Sequence, residues 1–156
     1  RILKQVAIHL GMDIVPERFK VDFAMGLKQG GTLVPLVFVE SENQAKGADW
    51  EISKLCSLRA PLRVLICCTE WSETPGYWPR GGRRTELVKW WSEIIQAHNR
   101  HLPDHGRIGL IVGESGKGGL RFYANAWDDN GQMLEEDEVI FSCTPDAQEA
   151  WPAQGR

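Results

Sequence analysis

What this chain has little of narrows its class before any motif is read. Basic charge is not in excess: 18 lysines and arginines face 21 acids, for a formal net charge of −3. A generally basic nucleic-acid binder is therefore disfavoured, and any grip on phosphate has to be local. Cysteine is sparse, and Cys56, Cys67, Cys68 and Cys143 show no C-x-x-C spacing. Cys67 and Cys68 are neighbours on one expected strand and point to opposite faces, so they are poorly placed to bridge. Reduced core thiols in a cytoplasmic protein are the expectation. No apolar run approaches the roughly 20 residues that span a bilayer, and no signal-peptide pattern is present, so no membrane partner is expected. There is no internal repeat and no domain boundary.

What is there fits one soluble α/β domain. The 156 residues are 42% hydrophobic and 25% charged, and a chain of this size buries about 68–70% of its unfolded surface. The expected domain runs over residues 1–143, followed by a polar C-terminal tail, 144–156. Arg1 opens directly on a helical pattern with no Met, so sequence upstream of it is expected.

The most informative stretch is Leu36-Val37-Phe38-Val39-Glu40-Ser41-Glu42-Asn43, an apolar strand that ends in two carboxylates. Alternation puts Leu36, Phe38, Glu40 and Glu42 on one face and Val37, Val39 and Ser41 on the other. Acids on an otherwise apolar face must be paired or must hold a cation. Asp22 interrupts a second apolar run, Phe19-Lys20-Val21-Asp22-Phe23-Ala24-Met25. Adjacent strands would bring Asp22, Glu40 and Glu42 around a divalent ion, and hard oxygen ligands suit Mg²⁺ or Mn²⁺. The pattern points to metal-assisted chemistry on phosphate esters.

The remaining elements follow from periodicity and punctuation. Ile2, Leu3, Val6, Ala7 and Leu10 form a helical stripe stopped by Gly11. Strands are expected over 17–25 and 33–42, with a Gly-rich turn between them. Residues 48–59 read as a helix with Asp49 at its N-cap, leading into a buried strand over 62–69. A polar and aromatic loop over 70–84 precedes a helix capped by Thr85, with the stripe Leu87, Val88, Trp91, Ile94, Ile95 and His98, ended by Pro103. Strands over 107–112 and 120–127 share a Gly-rich turn, and a short strand is expected over 139–142.

At the acids the chain resembles the PD-(D/E)xK nuclease superfamily, whose pattern is an acid on one strand and D/E-x-K on the next. Here Asp22 is followed by seventeen residues and then Glu40-Ser41-Glu42. Glu42 stands where the family usually has Lys, giving the E-x-E variant that some type II restriction enzymes carry. The resemblance covers roughly residues 1 to 70. It implies a restriction-endonuclease-like core, a central mixed β-sheet flanked by helices in the order α-β-β-α-β, followed by a helix and further strands. It also implies an endonuclease that hydrolyses phosphodiester bonds with Mg²⁺ or Mn²⁺. DNA is the expected partner, RNA the alternative nucleic acid, and a homodimer is allowed. Asp22 and Glu40 would be metal ligands, with the Ser41 carbonyl as a further donor. Glu42 would orient or deprotonate the attacking water. Lys54, on a helix where a site residue has migrated in some members, would supply the cation missing from position 42. A catalytically decayed module that binds nucleic acid or protein without cutting is the alternative.

Other constellations carry less. Glu51 and Lys54, three apart, also suit an ordinary surface ion pair. His98, His101 and His105 do not share one helix face and Pro103 intervenes, so zinc is not expected. Gly113-Glu114-Ser115-Gly116-Lys117-Gly118 lacks the first glycine of a phosphate-binding loop and is followed by a strand, which makes it a hairpin turn. In the loop, Trp71, Tyr77 and Trp78 alternate with Arg80, Arg83 and Arg84. That mixture would either stack on bases and grip phosphates or fold back as an apolar plug.

Overall fold

A computed structural model describes residues 1–43, 45, 48–69, 83–103, 106–116 and 119–143. In chain order these form α1 (Ile2–His9), β1 (Asp13–Arg18), β2 (Val21–Gln29), β3 (Thr32–Glu42), α2 (Ala48–Ser57), β4 (Leu62–Thr69), α3 (Arg83–His101), β5 (Arg107–Gly116), β6 (Gly119–Trp127) and β7 (Met133–Cys143). The strands make one seven-stranded sheet in the order β1-β2-β3-β4-β5-β6-β7. Hairpins join β1 to β2 to β3 and β5 to β6 to β7, so both flanks are antiparallel. β3, β4 and β5 run parallel, and helical crossovers α2 and α3 connect them. The fold is α/β, with a central mixed sheet flanked by helices, as the sequence pattern led us to expect.

The two faces of the sheet bury different sets of residues. One carries the larger core: Ala24 of β2, Phe38 of β3, Leu65 of β4 and Leu110 of β5 meet Ile52 and Leu55 of α2 and Trp91 and Ile95 of α3. Met25, Val37 and Val39 face the other way with Ala7 of α1. Alternation along β3 therefore sends Phe38 and Glu40 toward α2, and Val37 and Val39 toward α1. α3 is fixed to the second hairpin by polar contacts. Trp127 Nε1 donates to Ser92 Oγ at 3.1 Å, and Asn99 Nδ2 donates to the Asp128 carbonyl at 3.3 Å.

Several expectations need correction. The strand expected over 17–25 is two strands, broken at Phe19-Lys20. The first was hidden because Asp-Ile-Val-Pro-Glu-Arg has no alternation, and Pro16 is tolerated there since β1 is an edge strand. β7 spans Met133–Cys143 rather than 139–142; an acidic run, Glu135 to Glu138, lies within it, on a largely exposed edge. α3 begins at Arg83, so Thr85 is inside the helix and not its cap. In α1 only Ala7 of the expected stripe is fully buried, and Ile2 and Leu10 are exposed. The tail from 144 lies outside the described residues. Of the hairpin expected at Gly113–Gly118, Lys117 and Gly118 lie outside the described residues, while β5 and β6 pair antiparallel as far as Gly116 opposite Gly119.

Arg63 of β4 is the deepest charge in the fold. Its side chain is wholly buried, and Nη1 donates to the carbonyls of Leu55, Cys56 and Leu58 at 3.2, 3.4 and 3.3 Å. Nη2 donates to the Gly106 carbonyl at 2.6 Å. The first three carbonyls lie at and just past the C-terminus of α2, where acceptors outnumber backbone donors, and that of Leu55 also accepts from the Leu58 N–H at 3.2 Å. Gly106 has φ +89, and a Cβ there would strike the Ala60 carbonyl oxygen, so only glycine fits beside the clamp. Arg63→Met should lower stability by about 3–5 kcal/mol in a denaturant titration, because several buried carbonyls lose their donor at once. A loss under about 1 kcal/mol would show that water replaces the guanidinium.

Candidate functional site

The β2–β3 register brings the first two acids together. Beyond the Phe23–Val39 pair, Asp22 and Glu40 meet across the hairpin. The Asp22 backbone N–H donates to Glu40 Oε2 at 3.4 Å, and the Ser41 N–H donates to Asp22 Oδ2 at 2.8 Å. Each carboxylate is thus oriented by the backbone of the other's strand. Glu40 is only 3% exposed, whereas Asp22 is half-buried.

α2 supplies the cation. Its first turn is acidic, with Asp49 and Glu51, and the Ile52, Leu55 and Cys56 stripe is buried against the sheet. The face beside that stripe carries Glu51 and Lys54. Lys54 Nζ lies 2.5 Å from Glu40 Oε1 and 2.5 Å from Glu51 Oε2. The expected i,i+3 pair is present, but it is not an isolated surface pair, since the same ammonium reaches the end of β3. Burial is the main cause that holds the Glu40 carboxyl above its ordinary 4.5, with Glu51 and Asp22 adding to it and Lys54 opposing. Lys54 is raised above its ordinary 10.5: burial would lower it, but its bonds to Glu40 and Glu51 outweigh that.

Glu42 sits two residues further on, beside Cys67, its register partner on β4. Its charge contributes, after burial, to pushing the Cys67 thiol up to about 12. The structure therefore gathers Asp22, Glu40, Glu51 and Lys54, and leaves Glu42 at the neighbouring step of the same strand. Among the described residues no group of three or more His, Cys, Asp or Glu side chains is arranged to hold a metal ion. The Lys54 ammonium lies between the Glu40 and Glu51 carboxylates, where a third acid ligand would have to point.

The loop arginines divide. Arg80 lies outside the described residues, as do Trp71, Tyr77 and Trp78, while Arg83 is the first residue of α3. Arg84 departs from the expected phosphate contact. It is buried, pairs through Nε with Glu114 Oε2 at 3.3 Å and through Nη1 with Asp137, and stacks 3.7 Å from the Tyr123 ring centroid. Its guanidinium is committed to β5, β6 and β7. Glu114 and Asp137 had no visible role in the sequence because their partner lies many residues away. Trp50 was also missed. It is 73% exposed on α2, one turn before Lys54, and nothing in the amphipathic pattern marks an outward tryptophan.

No protein-family model matches this sequence, and no curated protein matches it. Among solved structures the chain is similar to the central domain of yeast acetyl-CoA carboxylase, with TM-score 0.40 and 11% identity over 69% of this chain and 16% of that one. It is also similar to a carbon-nitrogen hydrolase from Helicobacter pylori G27, with TM-score 0.41 and 12% identity over 89% of this chain and 59% of that one. Neither likeness bears on the chemistry of the Asp22, Glu40 and Lys54 cluster. No described helix is long and apolar enough to cross a membrane.

The cluster has a pH signature. Because Glu40 is raised in the folded state, its neutral form contributes stability that is full below pH 4.5 and is lost as pH rises through the folded value. Lys54 contributes stability that is full below pH 10.5 and is lost as pH rises through its own raised value. Lys54→Met should cost about 3 kcal/mol at pH 7, where it takes from buried Glu40 the cation that opposes its desolvation beside Asp22 and Glu51. Below pH 4.5, with Glu40 protonated, the cost should shrink to about 1 kcal/mol or less. Thermal or denaturant unfolding across that range checks it, and a pH-independent cost would dissolve the coupling.

Proposed function

We propose that this chain is a restriction-endonuclease-like domain that hydrolyses phosphodiester bonds in DNA with the help of Mg²⁺ or Mn²⁺. One observation carries the reading: Lys54 reaches from α2 to Glu40 at the end of β3, beside Asp22 of β2. An acid on one strand, an acid on the next and a lysine from the following helix supply anionic ligands and a cation for the phosphate. The strand order adds support, since α1, the β1-β2-β3 meander, α2 and parallel β4 follow one another as helix, antiparallel strands, helix and parallel strand.

The donor set fits a Mg²⁺ ion, which keeps several waters and is held by one or two carboxylates together with substrate phosphates. Asp22 and Glu40 would hold it, with the Ser41 carbonyl as a third oxygen. Such an ion draws charge from the phosphate oxygens and lowers the pKa of a bound water toward neutrality. The chain's own groups do the rest. Asp22 and Glu40 are fixed by backbone N–H donors, so their orientation needs no rearrangement when substrate arrives. Lys54, held by Glu40 and Glu51, places a positive charge where negative charge grows on the phosphate. Glu42, one step along the same face of β3, is the base that orients or deprotonates the attacking water. A cytoplasmic location goes with this reading, supported by the buried thiols of Cys56 and Cys67.

A second reading, binding without cleavage, rests on a different observation. Lys54 already bonds both Glu40 and Glu51, so the cluster carries a cation of its own without any added ion. The two readings separate cleanly in solution. The hydrolase should cut DNA in Mn²⁺ or Mg²⁺, with cleavage suppressed by EDTA and by Glu40→Ala. Lys54→Ala should slow cleavage by roughly 10²–10³-fold while calorimetry still detects Mn²⁺ binding, because a group stabilising transition-state charge is not a ligand. Asp22→Ala should lose Mn²⁺ binding. Equal Mn²⁺ binding by wild type and Asp22→Ala, or intact duplex, single-stranded and branched DNA after incubation with metal, would leave only the binding module.

A further inference from the structure

Beside the carboxylates lies a cleft of about 540 Å³, lined by Lys20, Trp50, Ser53, Lys54 and Ser57. Four of these come from α2 at positions i, i+3, i+4 and i+7, which places them on one face of the helix. That face is turned away from the Ile52, Leu55 and Cys56 stripe. A single exposed apolar residue is ordinary. Trp50 differs in its company: a 73% exposed indole shares the cleft with two lysines and two serine hydroxyls, and no carboxylate is among the described lining residues. Ser57 is held in place by donating to the Ser53 carbonyl at 3.0 Å.

The fifth residue is positioned at an energetic cost. Phe19 and Lys20 form the two-residue connection between Arg18 and Val21, with φ of +61 and +60. Such turns strongly favour Asn-Gly or Asp-Gly, because bulky residues are strained at positive φ. Here the strain is held by packing. The Phe19 ring meets Phe38 edge-on at 5.5 Å, and the Arg18 guanidinium lies 5.5 Å from the Phe19 centroid. With Phe19, itself 44% exposed, resting on the buried Phe38 ring, Lys20 is placed in the lining of the cleft. Strain kept by surrounding structure is a feature of ligand sites.

We propose that this cleft binds one unpaired nucleotide of a single-stranded segment next to the phosphate that the site attacks. The base stacks on Trp50, and its phosphate is drawn by Lys20 and Lys54. Lys54 joins the two regions, since its side chain lines the cleft while its ammonium pairs with Glu40 and Glu51. A nucleotide offers both complements at once, a π-face for the indole and an anion for the ammonium groups. A base inside a duplex is already stacked and must be extruded before it can use the same surface. Preference for an unpaired strand follows. The proposal deepens the reading of the site as a phosphodiesterase and rests on it for the adjoining chemistry.

Binding of fluorescein-labelled oligothymidine and of a blunt duplex, followed by anisotropy in EDTA, tests the subsite without cleavage. Wild type should bind oligothymidine more tightly than the duplex. Trp50→Ala should weaken oligothymidine binding by roughly 5- to 100-fold, Trp50→Phe should keep most of it, and duplex binding should change little. Lys20→Gln should lower the magnitude of the salt slope for the single strand by about 0.7. Unchanged thermal unfolding of these exposed-residue variants would confirm that the fold is intact. Wild-type affinity in Trp50→Ala, an equal loss on the duplex, or no oligothymidine binding by wild type would overturn the subsite. The two proposals fail separately. Trp50-dependent strand binding with no metal-dependent cleavage sinks the hydrolase alone, and cleavage indifferent to Trp50 sinks the subsite alone.

Discussion

The position of α2 depends on one buried cation. Arg63 of β4 holds the end of α2 by the carbonyls of Leu55, Cys56 and Leu58, and reaches the start of β5 through the Gly106 carbonyl. Burial is the dominant influence on this guanidinium and lowers its pKa, yet an arginine keeps its proton inside proteins. It therefore has to stay bonded, and three of the four carbonyls it bonds lie at the end of α2, where acceptors are in excess. The crossover from β3 to β4 is tied down at that end as a result. Lys54 and Trp50 ride on the same ten-residue helix, so the helix that carries them toward Glu40 and the cleft is anchored at its C-terminus.

Charge at the end of β3 is predominantly negative. Glu40 and Glu51 converge on one ammonium with Asp22 beside Glu40, and burial is the largest influence on the Glu40 carboxyl. An isolated ionised carboxylate at that depth would be costly, and two further acids nearby make it worse. Lys54 offsets part of this, and the backbone N–H of Asp22 offsets more. The cluster is tolerated, with a residual appetite for positive charge.

Much of this was legible in the residues. Val-Phe-Val before Glu40 marks a buried strand, and a buried strand ending in acids signals a site because the sequence offers no cheap reason for it. Glu51 and Lys54 could be placed on one helical face by spacing alone. The crossover helices were readable because Ile52, Leu55 and Cys56, and likewise Leu87, Val88, Trp91 and Ile95, repeat at helical intervals. What stayed hidden depends on tertiary partners. β1 has no alternation because it is an edge, and the Phe19-Lys20 turn contradicts turn chemistry because Phe38, from the next strand, overrides it. Arg84 lay in a stretch rich in arginine and tryptophan, a composition that suits nucleic-acid contact. Its true partners, Glu114 and Asp137, lie on strands whose register no local pattern reveals.

Among the described residues two ionic clusters stand at the carboxyl ends of the parallel strands, and they differ in how tightly they are sealed. Glu114, opposite Thr69 near the ends of β5 and β4, belongs to the Arg84 cluster, as Glu40 near the end of β3 belongs to the Lys54 cluster. In open α/β sheets ligands gather outside these strand ends. The Arg84 cluster is sealed: the guanidinium is 7% exposed, covered by Tyr123, and bound to two acids, one of which Asn125 also holds. A planar, always-charged group in that setting fixes geometry and has little freedom to release it. The Lys54 cluster is the reverse. Its ammonium sits on a flexible stem, its side chain is 26% exposed, and it opens onto a cleft rather than a ring. A compact charge that can swing from carboxylate to phosphate is suited to exchange partners when substrate arrives. Among the described residues, the cluster built on lysine is therefore the more open of the two at that edge of the sheet, and the one built on arginine ties α3 to the second hairpin.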